Sequence, residues 1–329
     1  MTFRDREKKR YQSVSREIFD KDPMGGLFAG KIRDFCLLNP DRNLEKSIRQ
    51  NALQYFQDRN ITWHSGKRNK DINTPSSHLC CSQSACVNFL FPLIHSKFGV
   101  EEIIKGFGFD VKEVLPIIGD QVGSQSQGFI GFEWIGGQNY LNERVMKSGK
   151  RYRGRYSTSA DFVFRFKDIN DKIHVVLGEW KYTEYYSCKS MAINSNGTNR
   201  IEIYQQVLND PQSQILITGL SLEDLFYDPF DQLMRLQLLS SMMEKHKEMG
   251  ADIVSVLHIA PRANCEFNQK ITSLNLSGMG KNVHDTWKRI TKSERFKGLY
   301  LEDVFPAFIS SYPDKKTKDY IQTRYSGMK

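Results

Sequence analysis

The sequence predicts an α/β fold: a mixed β-sheet flanked by helices on both faces, with a helical extension at the N-terminus. Three observations carry this. Ser157–Phe166 alternates apolar and polar residues and places Phe162, Phe164 and Phe166 on one side, the period of a half-buried strand. Ile253–Ala260 is a near-continuous apolar run stopped by Pro261, as expected of a central strand covered on both faces. Between them, Phe230–Met249 repeats Leu233, Leu236, Leu239 and Met243 at helical spacing and closes at Gly250, a suitable helix stop.

The other elements follow in chain order. Residues 1–35 mix charges of both signs with Met24, Leu27, Phe28 and Ile32 and read as a helical or partly ordered arm. Asn39-Pro40-Asp41 is a turn and helix-start signal, after which Leu44, Ile48, Leu53 and Phe56 predict an amphipathic helix over 42–58. Residues 60–78 read as a polar loop, and Ser82–Lys97 as a buried helix weakened or kinked at Pro92. Phe129–Ile135 is a short β-like run. Lys167–Lys172 is a polar turn, followed by a strand over Ile173–Lys181. Residues 184–212 are polar, with a helix expected over Ile201–Leu208, and Ile215–Leu220 reads as a further short strand. The expected division is a helical arm over 1–60, the main α/β domain over 61–310 and a basic tail over 311–329.

Composition narrows the function. The chain has 329 residues, 39% of them hydrophobic and 12% aromatic, too rich in core-forming residues for a disordered chain. No apolar run approaches the length of a transmembrane helix, and the charged start, MTFRDREKKR, leads into no signal-peptide core. The six cysteines suggest no disulfide framework. The expectation is a cytoplasmic chain with free thiols, in which the sequons at Asn196 and Asn275 carry no meaning. A surplus of 47 basic over 38 acidic residues, net +9, points to an anionic partner, above all nucleic acid.

The chemistry concentrates in one hairpin. If residues 157–181 fold back about the 167–172 turn, Asp161 comes opposite Glu179, to within one residue of register, with Cβ atoms about 5 Å apart. Alternation places Glu179 and Lys181 on one face and Trp180 and Tyr182 on the other. Opposed like charges destabilise a sheet, and a hard divalent cation is their natural compensation. Two carboxylates, a cation and an ammonium are the parts that phosphodiester hydrolysis uses. On spacing alone, a solvated strand end with a Glu–Lys pair remains the competing reading.

This Asp…Glu-x-Lys arrangement resembles the PD-(D/E)XK nuclease superfamily. His78–Leu93 (HLCCSQSACVNFLFPL), Phe132-Glu133, Glu179–Glu184 (EWKYTE) and Gln232–Arg235 (QLMR) resemble a prokaryotic, restriction-endonuclease-like subgroup of it. The resemblance spans roughly residues 60–260, and Ala160 stands where the name-giving proline would. It implies a restriction-endonuclease-like fold and a metal-dependent endonuclease acting on DNA, leaving 5′-phosphate and 3′-hydroxyl ends. It implies Asp161, Glu179 and the Trp180 carbonyl as ligands of Mg²⁺, with Mn²⁺ as a substitute. Lys181 would be the catalytic lysine, Glu133 an additional acidic residue, and Gln232 and Arg235 site support.

The run Lys147, Lys150, Arg151, Arg153 and Arg155 leads directly into the Asp161 strand and is expected to hold the backbone of double-stranded DNA. The arm Arg4–Arg10 and the last residues are expected to be solvated termini. His78, Cys80, Cys81 and Cys86 lack zinc-site spacing, and Gln83 and Asn88 are expected to satisfy buried backbone. Cutting both strands at once would require a homodimer, whose interface is not readable. The rival functions are a catalytically inactive nucleic-acid-binding module, a nuclease for RNA or branched DNA, and a scaffold of incidental charge.

Overall fold

A computed structural model describes residues 1–19, 24–64, 73–123, 127–147, 149–186, 188–194, 196–216, 219–292 and 294–328. Parts of several expected segments lie outside these residues: 20–23 of the 1–35 arm, 65–72 of the 60–78 loop, 148 of the basic run, 187 and 195 of the polar segment, 217–218 of the 215–220 run, and 329 of the tail.

The elements in order are α1 (Phe3–Ile18), β1 (Met24–Phe28), β2 (Lys31–Leu37), α2 (Arg49–Asp58), α3 (Ser82–Leu90), α4 (Lys97–Gly106), β3 (Val111–Leu115), β4 (Ile130–Trp134), β5 (Ala160–Asp168), β6 (Ile173–Trp180), α5 (Arg200–Leu208), α6 (Phe230–Lys245), β7 (Ile253–Ala260), α7 (Cys265–Asn268), α8 (Val283–Arg289), β8 (Phe296–Tyr300), α9 (Leu301–Ser311) and α10 (Lys315–Arg324). Strands β3, β5, β6, β7 and β8 lie side by side in that order, with β4 also on β5. The β3–β5, β4–β5 and β5–β6 pairs are antiparallel, and β6–β7 and β7–β8 are parallel. This is the predicted mixed sheet. Strands β3 and β4 share one edge of β5, β4 along Ala160–Phe164 and β3 along Arg165–Asp168, so they act as one edge strand interrupted by residues 116–129.

The sheet separates two apolar cores. One face carries Phe162, Phe164, Phe166, Val176 and Trp180 against α1, α2, α3, α4, α9 and α10. The other carries Val163, Val175, Leu177, Val254 and Val256 against α5, α6 and α8. In β5–β6, Phe162 faces Gly178 and each pair thereafter stays in step to Lys167–Ile173. The Phe162 ring lies across Gly178: a Cβ there would sit 2.0–2.3 Å from three ring carbons. Glycine is therefore required one residue before Glu179.

Four expectations change. The 1–35 arm holds a helix but also a β-hairpin, since Met24–Phe28 pairs with Lys31–Leu37 across a tight turn at Ala29 and Gly30, both at positive φ. The long helix ends at Lys245, before Gly250, and the chain turns through left-handed Lys247 and Met249. In the 215–220 run, Ile215 makes only an isolated bridge to Thr291. The C-terminal residues are only partly solvated: Lys315 and Lys316 are exposed, but Arg324 is fully buried, and its guanidinium donates to the Asn43 carbonyl and side chain. Such a charge is tolerated because hydrogen bonds replace its water. Among the described residues, no helix is long and apolar enough to cross a membrane.

Gly178→Ala is expected to destabilise the protein by about 1–3 kcal/mol through overpacking against Phe162. Adding Phe162→Leu should recover part of that loss in a denaturant-unfolding double-mutant cycle. Additive losses would mean that the ring and the glycine do not touch.

Candidate active site

The β5–β6 pairing ends at Phe162 and Gly178, which leaves the next residues, Asp161 and Glu179, adjacent to its last pair at the end of the sheet. Beyond β6 the chain stays extended, with the Lys181 N–H bonded to the Ile259 carbonyl at 2.8 Å. Alternation sends Glu179 and Lys181 into a cleft of about 330 Å³. It sends Trp180 and Tyr182 into the aromatic core on the other face. The cleft is lined by Asp161, Glu179, Trp180, Lys181, Glu133, Gln232 and Arg235, all seven of the residues expected as catalytic, metal-binding or supporting. A larger cavity of about 810 Å³, beside α2, contains no comparable group of carboxylates.

The charged side chains of the cleft are held by neighbours. Asp161 Oδ2 accepts the Trp180 N–H at 2.6 Å. The Lys181 ammonium donates to Glu179 Oε1 at 2.6 Å and to Gln232 Oε1 on α6. Tyr186 OH donates to the same Gln232 oxygen at 3.4 Å. Arg235 reaches the cleft wall, where it donates to Thr158 Oγ1 at 3.2 Å and pairs with Asp231 at 3.1 Å. Thr158 in turn donates from its N–H and its hydroxyl to Glu143, both at 2.6 Å, which fixes the turn leading into β5.

Glu133 is the unusual residue. It lies in β4 with φ +50°, a left-handed conformation costing about 1–2 kcal/mol for a residue with a Cβ. The kink lets Phe132 and Trp134, two positions apart, pack into opposite cores. Arg153 holds it in place, donating from Nε to the Glu133 carbonyl at 3.1 Å and from Nη2 to the Phe132 carbonyl, while Nη1 pairs with Asp120 at 2.6 Å. From α3, Gln83 Nε2 donates to Glu133 Oε1 at 2.6 Å.

This corrects the reading of the basic run. Arg153 is bonded inward, and Arg151 donates to the carbonyls of Ile135, Gly136 and Gln138. Both arginines are tied to backbone carbonyls, while Lys147 and Lys150 are exposed and Arg155 lies at the surface beside Tyr156. A run of cations does not reveal which of them point inward. Gln83 does more than satisfy backbone, since it also reaches Glu133, and its signal was a polar residue in an otherwise apolar helix. Asn88, as expected, bridges the Asn43 carbonyl and the Glu45 N–H.

Burial pushes the Asp161 carboxyl well above the ordinary range, and the charges of Glu179 and Glu133 push it further. Burial likewise raises Glu133, and Glu179 adds to the rise. Burial alone would lower Lys181, but Glu179 and the neighbouring anionic groups outweigh it and hold the ammonium well above its usual value. The cleft thus gathers the carboxylates of Asp161, Glu179, Glu133 and Glu184 with the cations Lys181 and Arg235. Its donors are oxygens, the set a hard divalent ion takes. Among the described residues, no group of three or more His, Cys, Asp or Glu is placed to hold a metal ion. The fit is one of donor chemistry and unrelieved negative charge, and Mg²⁺, which keeps several waters and takes one or two protein carboxylates, requires no more.

Over residues 11–326 the chain matches the family model described as restriction endonuclease associating with ARP. No curated protein and no solved structure gives a significant match.

Asp161→Asn keeps an acceptor for the Trp180 N–H and removes a carboxyl that binds its proton more tightly folded than unfolded. Such a carboxyl costs stability as pH rises above its unfolded value near 3.8. The metal-free variant is therefore expected to melt higher than wild type at neutral pH, with the gap closing below about pH 4. A lower melting temperature for Asp161→Asn at pH 7 would contradict this electrostatic account.

Proposed function

The chain belongs to the family of restriction endonucleases associating with ARP, and from that premise we propose that it is a metal-dependent endonuclease that hydrolyses phosphodiester bonds in DNA. The observation that carries the reading is the convergence of Asp161, Glu179, Glu133 and Lys181 in one cleft. Family membership supports a nuclease with a nucleic-acid partner, and the cleft supplies the residues for the chemistry.

Asp161 and Glu179 would hold a divalent cation, with the Trp180 carbonyl and Glu133 extending the shell. Such an ion lowers the pKa of a bound water and neutralises charge on the phosphate. Lys181, kept as an ammonium, orients the attacking water and stabilises negative charge building on the phosphoryl oxygens. Gln232 fixes the lysine against Glu179, so the ammonium arrives preorganised. Gln83 and Arg153 hold Glu133 in a conformation it would not adopt unaided. Lys147, Lys150 and Arg155 remain for the phosphate backbone.

The direct test is nicking of supercoiled plasmid with Mg²⁺, Mn²⁺ or EDTA. Wild type should nick only with metal, Asp161→Ala should not, and Lys181→Ala should lose at least about 100-fold, the scale of removing one preorganised charge donor. Equal nicking by all three proteins would place the activity elsewhere. Salt-dependent DNA binding by a wild type that never cuts would favour the inactive binding module.

The cations on the phosphate backbone have their own readout. Replacing Lys147, Lys150 and Arg155 together with alanine should flatten the log–log salt dependence of DNA affinity by about one unit for each phosphate-binding cation removed. An unchanged slope would remove this segment from the interface.

A further inference from the structure

We propose that the N-terminal arm completes a second binding subsite, contiguous with the catalytic cleft, which takes an unpaired nucleotide flanking the scissile phosphate. The proposal rests on the nuclease reading for where that phosphate lies. A second cleft of about 280 Å³ shares His64, Ser82 and Glu184 with the catalytic one, so the two form a single groove. Its far end is built by Arg4 of α1, Phe28 of β1, His78, and Tyr185 in the segment that follows the catalytic strand.

The groups at this end are those that read a single strand. Tyr185 is 62% exposed, an aromatic side chain largely open to solvent. The Arg4 guanidinium lies 5.8 Å from that ring, and its buried Nε has no hydrogen-bond partner. Lys8, one turn further along α1, sits 4.6 Å over the Phe35 ring. Among the described residues, neither Arg4 nor Lys8 has an ion-pair partner, in contrast to Arg151 and Arg153, which are bonded inward. His78 Nδ1 accepts the Cys80 N–H at 3.0 Å, so the ring proton sits on Nε2. Burial holds that ring neutral, with a pKa pushed down to about 3, and a neutral donor suits a base edge or a phosphate oxygen. On α1, Glu7 is neutralised by Arg10 at 2.6 Å, and Glu184 is the acid that lines the groove itself.

A base inside a duplex is stacked on its neighbours and shows only its edges. An exposed aromatic face is useful to a base that has left the stack, and a nearby cation then takes the adjoining phosphate. The groove therefore fits a strand that is unpaired beside the cleavage point, as at an overhang, a fork or a frayed end, better than uninterrupted duplex.

The test is fluorescence anisotropy in EDTA, with a labelled duplex bearing a single-stranded overhang and the matching blunt duplex. Wild type should prefer the overhang by about tenfold, the scale of one stacked base. Tyr185→Ala should lose the preference, Tyr185→Phe should keep it, and Arg4→Ala combined with Lys8→Ala should weaken it, with melting temperatures unchanged. Equal affinity of wild type for both duplexes, or a preference that survives Tyr185→Ala, would overturn the subsite. The nuclease reading is tested separately by nicking. An overhang preference without metal-dependent nicking would retain the subsite and reject the nuclease, and nicking without the preference would do the reverse.

Discussion

Antiparallel pairing of β5 with β6 places Asp161 and Glu179 on one side of the sheet end and the rings of Phe162 and Trp180 on the other. A slip of one residue would exchange them, driving two carboxylates into an aromatic core. Gly178 helps to exclude that slip, because only a residue without a Cβ fits beneath the Phe162 ring. The same parity carries on past the strand, so that Lys181 reaches Glu179 while Tyr182 meets Tyr11 at 2.9 Å and Glu7 on α1. One register thus sets the donor cluster and the seat of the N-terminal helix together.

That placement has an electrostatic cost, met locally in part. Lys181 pairs with Glu179, Gln83 and Arg153 steady Glu133, and Asp161 has only a backbone N–H and a more distant lysine to set against burial and two neighbouring anions. Proteins keep such arrangements where the unrelieved charge has a use. The left-handed backbone at Glu133 belongs to the same pattern: a strained residue, hydrogen-bonded through both side chain and carbonyl, facing the cleft.

The centre of the fold was readable because its signals are local. β5, β6, β7 and α6 have strong periodicity, and a hairpin's register follows from its turn. The edges were not. β3 (VKEVL) and β8 (FKGLY) are five-residue strands of mixed polarity whose pairing comes from tertiary packing. Helix α10 (KKTKDYIQTR) looks solvated, yet Arg324 is buried because Asn43, far away in sequence, supplies its acceptors. The same blindness applies to Arg151 and Arg153. Composition shows that a segment is cationic, but only the fold shows whether a guanidinium meets water or a carbonyl.

The distribution of charge bears on how a polyanion would enter. The net +9 of the chain gives it a favourable long-range field. At close range the cleft presents Asp161, Glu179 and Glu133 against a lysine already paired, and a phosphate brought there unaided would meet repulsion that strengthens as water leaves. On the proposed chemistry, a divalent cation is then needed for admission as well as for hydrolysis. The flanking cations have no such requirement: Arg4 in the groove, Lys8 one turn further along α1, and the exposed Lys147 and Lys150 can hold phosphate without metal. Substrate would dock first through its flanks, and the scissile phosphate would settle only once the carboxylates had been neutralised, so cleavage is confined to a strand already positioned along the groove.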